Sequence, residues 1–117
     1  MSTSEKPFDT GVGPEGLDPE RPEPFETPWG SFFLVRTGGE LVAVESWCPH
    51  LMAPLFQGSF SGDEVTCPWH AWRFDLTTGS CTWAPDYETV KDTRLTRLKV
   101  SLEAGSYRIH PPGPREA

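Results

Sequence analysis

Short strand-like stretches alternate with turn residues along the chain. Ser31 to Arg36 and Glu40 to Trp47 are two such stretches, joined by Gly38-Gly39, which predicts a β-hairpin with a two-residue turn. Near the C-terminus Leu98, Val100 and Leu102 alternate with Arg97, Lys99 and Ser101. A turn spans Glu103 to Ser106, and Tyr107 and Ile109 resume the alternation, which predicts a second, closing hairpin. Between the hairpins lie Val65-Thr66-Cys67, Trp72 to Leu76 and Cys81-Thr82-Trp83, with Thr77-Thr78-Gly79-Ser80 as a turn. Each fits only a short strand of a small antiparallel sheet. No stretch sustains apolar residues at i, i+3, i+4 and i+7, so long helices are not expected and the fold class is all-β.

The ends read differently. Residues 1–24 are dominated by Pro, Glu, Gly and Asp, as in Pro19-Glu20-Arg21-Pro22-Glu23-Pro24, a composition that buries little surface and predicts a loosely ordered arm. Pro111-Pro112-Gly113-Pro114 cannot extend a central strand, because proline lacks the ladder donor, so 111–117 is a tail. One compact domain over 25–110 remains, the size a chain of 117 residues supports.

Charge narrows the partners. Residues 1–90 carry 14 acidic against 4 basic side chains, and residues 91–117 carry 3 against 6, within a formal total of −7. Nucleic acid and other polyanions are poor partners for such a chain. No run approaches the roughly 18 apolar residues that cross a bilayer, and Met-Ser-Thr-Ser-Glu-Lys has no apolar signal core behind it, so the expectation is a cytoplasmic protein that does not engage membranes.

The candidate chemistry lies in two short loops, Cys48-Pro49-His50 and Cys67-Pro68-Trp69-His70. Each supplies a thiolate and an imidazole, and two of the three cysteines sit at metal-ligand spacing, which speaks against a disulfide framework. A Cys2His2 zinc site is one reading, although zinc fingers pair Cys with Cys and His with His, whereas both loops here are mixed. A two-iron cluster is the other, with both cysteines on one iron and both histidines on the second.

At these residues the chain resembles the Rieske iron-sulfur family, whose boxes read C-x-H and C-P-x-H-G. Ala53-Pro54-Leu55 behind the first box, and Trp72-Arg73-Phe74-Asp75 with Thr78-Gly79 behind the second, resemble its bacterial ferredoxin and oxygenase-associated branch. The resemblance implies a Rieske fold of three layered antiparallel sheets, with a cluster-binding sub-domain of about residues 46–84. It implies one 2Fe-2S cluster held by Cys48, His50, Cys67 and His70, the cysteines on the buried iron and the histidines on the outer one. It also implies a one-electron carrier rather than an enzyme, monomeric in isolation, passing electrons from an NAD(P)H-dependent reductase to a terminal oxygenase or similar acceptor. A small Rieske subunit of a larger oxidoreductase is the alternative.

Two departures bear on the site. Ala71 stands where the family has glycine, at a cost on the order of 1 kcal/mol if the backbone there needs a positive φ. Respiratory members join their loops by a disulfide and aim a serine and a tyrosine hydroxyl at the cluster, whereas the matching positions here are Ala53 and Trp69, then Trp72 and Phe74. Missing donors place the potential toward the low end of a range of roughly −150 to +300 mV. Of the remaining candidates, Cys81 reads as a small buried hydrophobe and His110 as a solvated surface residue.

Overall fold

The computed structural model describes residues 6–18, 22–49, 52–69, 72–85 and 87–112. Among these residues ten strands form two hydrogen-bonded antiparallel sheets. In chain order they are β1 (Phe8–Asp9), β2 (Pro24–Thr27), β3 (Gly30–Thr37), β4 (Glu40–Glu45), β5 (Ser59–Ser61), β6 (Glu64–Thr66), β7 (Arg73–Asp75), β8 (Cys81–Trp83), β9 (Arg97–Glu103) and β10 (Ser106–Ile109). A 3-10 turn at Leu55–Gln57 and the one-turn helix α1 (Tyr87–Val90) are the helical elements among the described residues.

The larger sheet, the base, has the order β1-β10-β9-β4-β3-β2, and the smaller has β5-β6-β7-β8. Both expected hairpins form. Gly38 and Gly39 take φ of 58° and 82° between paired Thr37 and Glu40, and Ala104 and Gly105 take 51° and 84° between paired Glu103 and Ser106. Two successive positive φ values suit the right-handed strand twist, and Gly adopts them without strain.

Instead of three separate sheets, the ladder runs unbroken through β9, which pairs with β4 at Arg97 to Lys99 and with β10 at Val100 to Glu103. Layering nevertheless exists, because the β3–β4 hairpin is buried on both faces. Phe33, Val35, Val42 and Val44 face one core, shared with Cys48, Leu55, Val65, Cys67, Trp72 and Phe74. The alternate residues Phe32, Leu34 and Ala43 face a second, with Leu98, Tyr107 and Ile109. Strand periodicity thus turns one hairpin into a wall between two cores.

Part of the arm, expected to be loosely ordered, is paired to the base. Phe8 and Asp9 pair with Ile109 and Arg108, Thr10 N–H donates to the Tyr107 carbonyl at 3.0 Å, and Tyr107 N–H donates to that of Val12 at 2.8 Å. Phe8 and Leu17 also pack on the second core, beside Phe25 of β2, so apolar side chains among prolines and acids help dock the segment. β4 also ends before Trp47, since Trp47 bridges to Pro54 and carries the chain into the first cysteine loop. No helix among the described residues is long and apolar enough to cross a membrane.

Candidate metal centre

The two cysteine loops close in the same way. Cys48 N–H donates to the Ala53 carbonyl and Cys67 N–H to the Trp72 carbonyl, both at 2.7 Å and both spanning five residues. One residue outside each closure the chain is paired again, Trp47 with Pro54 and Thr66 with Arg73. Each loop is therefore the tip of a hairpin-like stem that starts at a cysteine. Pro49 and Pro68 follow the cysteines and bring no amide that would need a partner there.

The stems rest on different supports. Ser46 is fully buried ahead of the first loop. Its N–H donates to the Ser31 carbonyl at 2.9 Å, its carbonyl accepts from Leu55 at 2.8 Å, and its hydroxyl accepts from that of Ser31 at 2.9 Å. Met52 takes a φ of 60° and donates its N–H to the Cys48 carbonyl at 2.7 Å. Such a backbone costs a non-glycine residue on the order of 1 kcal/mol and is held by the closed loop around it. The second stem rises from β6 and β7, and a Cβ on Gly58 would collide with the Thr66 carbonyl oxygen. Gly58 thus lets the chain leaving the first loop pass against the base of the second.

Cys48 and Cys67 are 1% and 2% exposed and belong to one core, and all three cysteines are unbridged thiols. His50 and His70, and with them Ala71, lie outside the described residues. Among the described residues no group of three or more metal-ligating side chains is assembled. Two soft thiols on twin loops, shielded by Ala53, Leu55, Val65 and Trp72, fit a buried iron-sulfur group that takes half its ligands from this wall.

Trp72 and Phe74 are buried with ring centroids 6.1 Å apart, so aromatic carbon fills the positions expected to lack hydroxyl donors. Ala53 is fully buried while Trp69 is 61% exposed. Cys81 is buried in β8, its thiol 3.7 Å from the Trp83 carbonyl, as a small core residue would be. His110 is partly buried and bonds Ser101 Oγ through Nε2 at 2.7 Å, so it is held rather than simply solvated. Sequence reasoning passed over the Ser31–Ser46 pair and Glu45, which carry no spacing motif and emerge only when β3, β4 and the first loop meet.

The Rieske [2Fe-2S] domain model matches residues 14–94, a span that contains both loops and all of the small sheet. The chain belongs to the Rieske [2Fe-2S] family. A Rieske domain binds a single 2Fe-2S cluster, which is the cofactor of this chain. It is 32% identical over 72 residues to the ferredoxin component of the naphthalene 1,2-dioxygenase system of Pseudomonas putida, covering 60% of this chain and 69% of that protein. It is 38% identical over 86 residues to human apoptosis-inducing factor 3, covering 72% of this chain but 14% of that protein's length. Among solved structures, the ferredoxin of carbazole 1,9a-dioxygenase from Nocardioides aromaticivorans IC177 superposes with a TM-score of 0.74 at 26% identity, over 92% of this chain and 99% of that one. The Rieske fold, all-β with antiparallel sheets and a small sheet bearing the second loop, is therefore that of this protein.

Proposed function

We propose that this Rieske protein is a one-electron carrier of the ferredoxin type, with its cluster held by Cys48, His50, Cys67 and His70. The observation that carries the assignment is the twin closure of the loops, which buries Cys48 and Cys67 in one core just ahead of His50 and His70 in sequence. The group supplies reversible one-electron chemistry at iron. This chain's own residues then have three tasks. Cys48 and Cys67 would hold the cluster as thiolates, Ala53, Leu55, Trp72 and Phe74 would keep water from that side of it, and His50 and His70 would complete the ligand set. The cluster-holding unit is residues 46–84, within a domain of 25–110.

An NAD(P)H-dependent reductase as donor and a terminal oxygenase or similar acceptor is the pairing we favour, supported by the likeness to the naphthalene dioxygenase ferredoxin component. The cytoplasm, where thiols stay reduced, is the location that suits it. A second reading, a Rieske unit working within a larger oxidoreductase, is favoured by the 14% coverage of apoptosis-inducing factor 3. Electron paramagnetic resonance of the dithionite-reduced protein, with iron and labile sulfide analysis, tests the first proposal. Two irons, two sulfides and the low average g value of a mixed His/Cys cluster are expected, and stoichiometric zinc overturns it. Co-purification with one large partner favours the second reading.

Potential offers a finer test. Phe74→Tyr introduces a hydroxyl beside the cysteine core, and a hydrogen bond to an electron-rich sulfur favours the reduced state. An increase on the order of 60 mV is expected, equivalent to about 1.4 kcal/mol for one electron. A potential equal to the parent's removes the missing hydroxyl as the cause of a low value.

A further inference from the structure

A hollow of about 250 Å³ lies beside the first cysteine loop, lined by Trp29, Phe32, Glu45, Trp47, Met52 and Thr96. Its rim is exposed, with Trp47 at 37% and Met52 at 62%. Glu45 is half-buried in the wall. One of its carboxylate oxygens accepts the Thr96 N–H at 2.5 Å, while its own N–H donates to the Thr96 carbonyl at 3.1 Å. The ion pairs among the described residues are Lys91–Glu88, Arg108–Asp9 and Arg108–Glu103, and none involves Glu45. Burial accordingly pushes the Glu45 carboxyl above the ordinary glutamate range, against the lowering effect of Thr96.

A desolvated carboxylate without a cation among aromatic faces is an incomplete arrangement. A cation placed there would relieve the desolvation and gain the attraction of the indole rings. A divalent metal is a poor occupant, because it needs several oxygen ligands and one carboxylate is present. A guanidinium is a good one: it is planar, weakly hydrated, stacks on indole and bonds a carboxylate with directed N–H groups. Glu45 is the one charged side chain among the described residues that line the hollow, so a positively charged group is its electrostatic complement.

We propose that this hollow seats an arginine side chain of the protein's redox partner, the guanidinium bonded to Glu45 and stacked on the Trp29 and Trp47 indoles. The proposal rests on the carrier reading, because only a partner that approaches the cysteine loops would cover the hollow. Occupancy would fix the partner's orientation against the first loop, so Glu45 acts as a specificity residue and takes no part in holding the cluster.

Titration of the oxidised, cluster-loaded protein with acetyl-arginine-amide, followed by the indole and Thr96 amide signals in nuclear magnetic resonance, tests it. Saturable shifts at Trp29, Trp47 and Thr96 are expected, with binding about tenfold weaker in Glu45→Gln, which keeps an acceptor for Thr96 but loses the charge. Trp29→Leu should also weaken it. Three results overturn the proposal: no saturable shift, equal binding by Glu45→Gln, or tighter binding of tetramethylammonium than of the arginine amide, which would mark a site for a small organic cation. Electron paramagnetic resonance of the same samples after reduction with dithionite separates the two levels. A protein with its cluster signal but no arginine response loses the subsite and keeps the carrier reading, whereas a protein without that signal loses the carrier reading itself.

Discussion

In the base, β3 and β4 run for eight and six residues and pair at six positions, whereas no strand of the four-stranded sheet exceeds three residues and β7–β8 is broken by a register shift. The base can hold itself by ladder hydrogen bonds and two-sided burial. The small sheet has few ladder bonds per strand and leans on side chains from elsewhere: Phe33 of β3 packs on Phe56 and Phe60 at centroid distances of 6.3 and 6.1 Å. Two loops also have to stay closed over the cysteines, and ligand bonds spanning both loops constrain them as a cross-link would. Metal binding and folding are coupled in such a region. The contrast assigns shape to the base and order of the cluster unit to the cluster.

The strongest way to break this division is to remove a ligand. Cys67→Ala or Cys48→Ala is expected to give colourless protein in which amide exchange rises throughout residues 46–84 while β3, β4, β9 and β10 stay protected. Exchange mass spectrometry reads both regions at once, and uniform loss of protection would show that the base also depends on the cluster.

Shared packing comes next in size. Phe33→Ala should cost about 3–5 kcal/mol, because the residue is fully buried and its cavity faces the small sheet. Ile109→Ala, in the core on the other side of the hairpin, should cost about 2–5 kcal/mol. The comparison is sharpened by following cluster absorbance during thermal unfolding. Phe33→Ala should release the cluster well before the base unfolds, and Ile109→Ala should lose both together.

A smaller effect is expected at the polar junction of the regions. Thr37, 5% exposed at the end of β3, donates to Asp63 Oδ1 at 3.0 Å and lies 2.7 Å from the Thr77 hydroxyl, while Gly38 N–H reaches the same Asp63 oxygen at 3.1 Å. Asp63 and Thr77 belong to turns of the small sheet, so this network ties its far end to the hairpin turn. Thr37→Val should cost about 1–3 kcal/mol in chemical unfolding, since Asp63 and Thr77 lose a buried partner. Exchange should rise in β5 and β6 more than in β4.

How far the sequence disclosed this molecule depends on which force fixed each part. Unbroken apolar runs exposed β3 and β4, which are buried on both faces, alternation exposed β9 and β10, and Gly38-Gly39 gave the turn. β5 escaped because Ser59-Phe60-Ser61 presents one apolar residue, and β1 and β2 because Phe8 and Phe25 stand among prolines and acids whose composition argues for disorder. Tertiary docking on Tyr107 and Ile109 overrides that composition. The cysteines were legible from spacing alone, since metal chemistry restricts residue type. Their equal five-residue closures were not, because backbone hydrogen bonds leave no mark on side-chain identity.

The smallest expected effect lies at the far edge of the base, where β1 meets β10. Asp9 accepts the Ser106 hydroxyl at 2.6 Å and the Gly11 N–H at 2.9 Å, and lies 3.7 Å from Arg108. The Ser106 bond first, then Gly11 and Arg108, hold its carboxyl below the ordinary value of 3.8. A lowered folded-state pKa means that the ionised form favours the docked strand. That contribution is present above pH 3.8 and is lost as pH falls through the still lower folded value. Asp9→Asn should therefore loosen β1 at neutral pH without touching the cluster. Faster exchange is expected at Thr10 and Tyr107, whose N–H groups bond across this edge, with unchanged cluster absorbance and an unchanged potential. Parent protein brought below that folded value should approach the variant's exchange at those two amides once intrinsic rates are corrected for pH. If the two proteins exchange alike at neutral pH, the segment is held by Phe8 and Leu17 in the second core, and its charge is incidental.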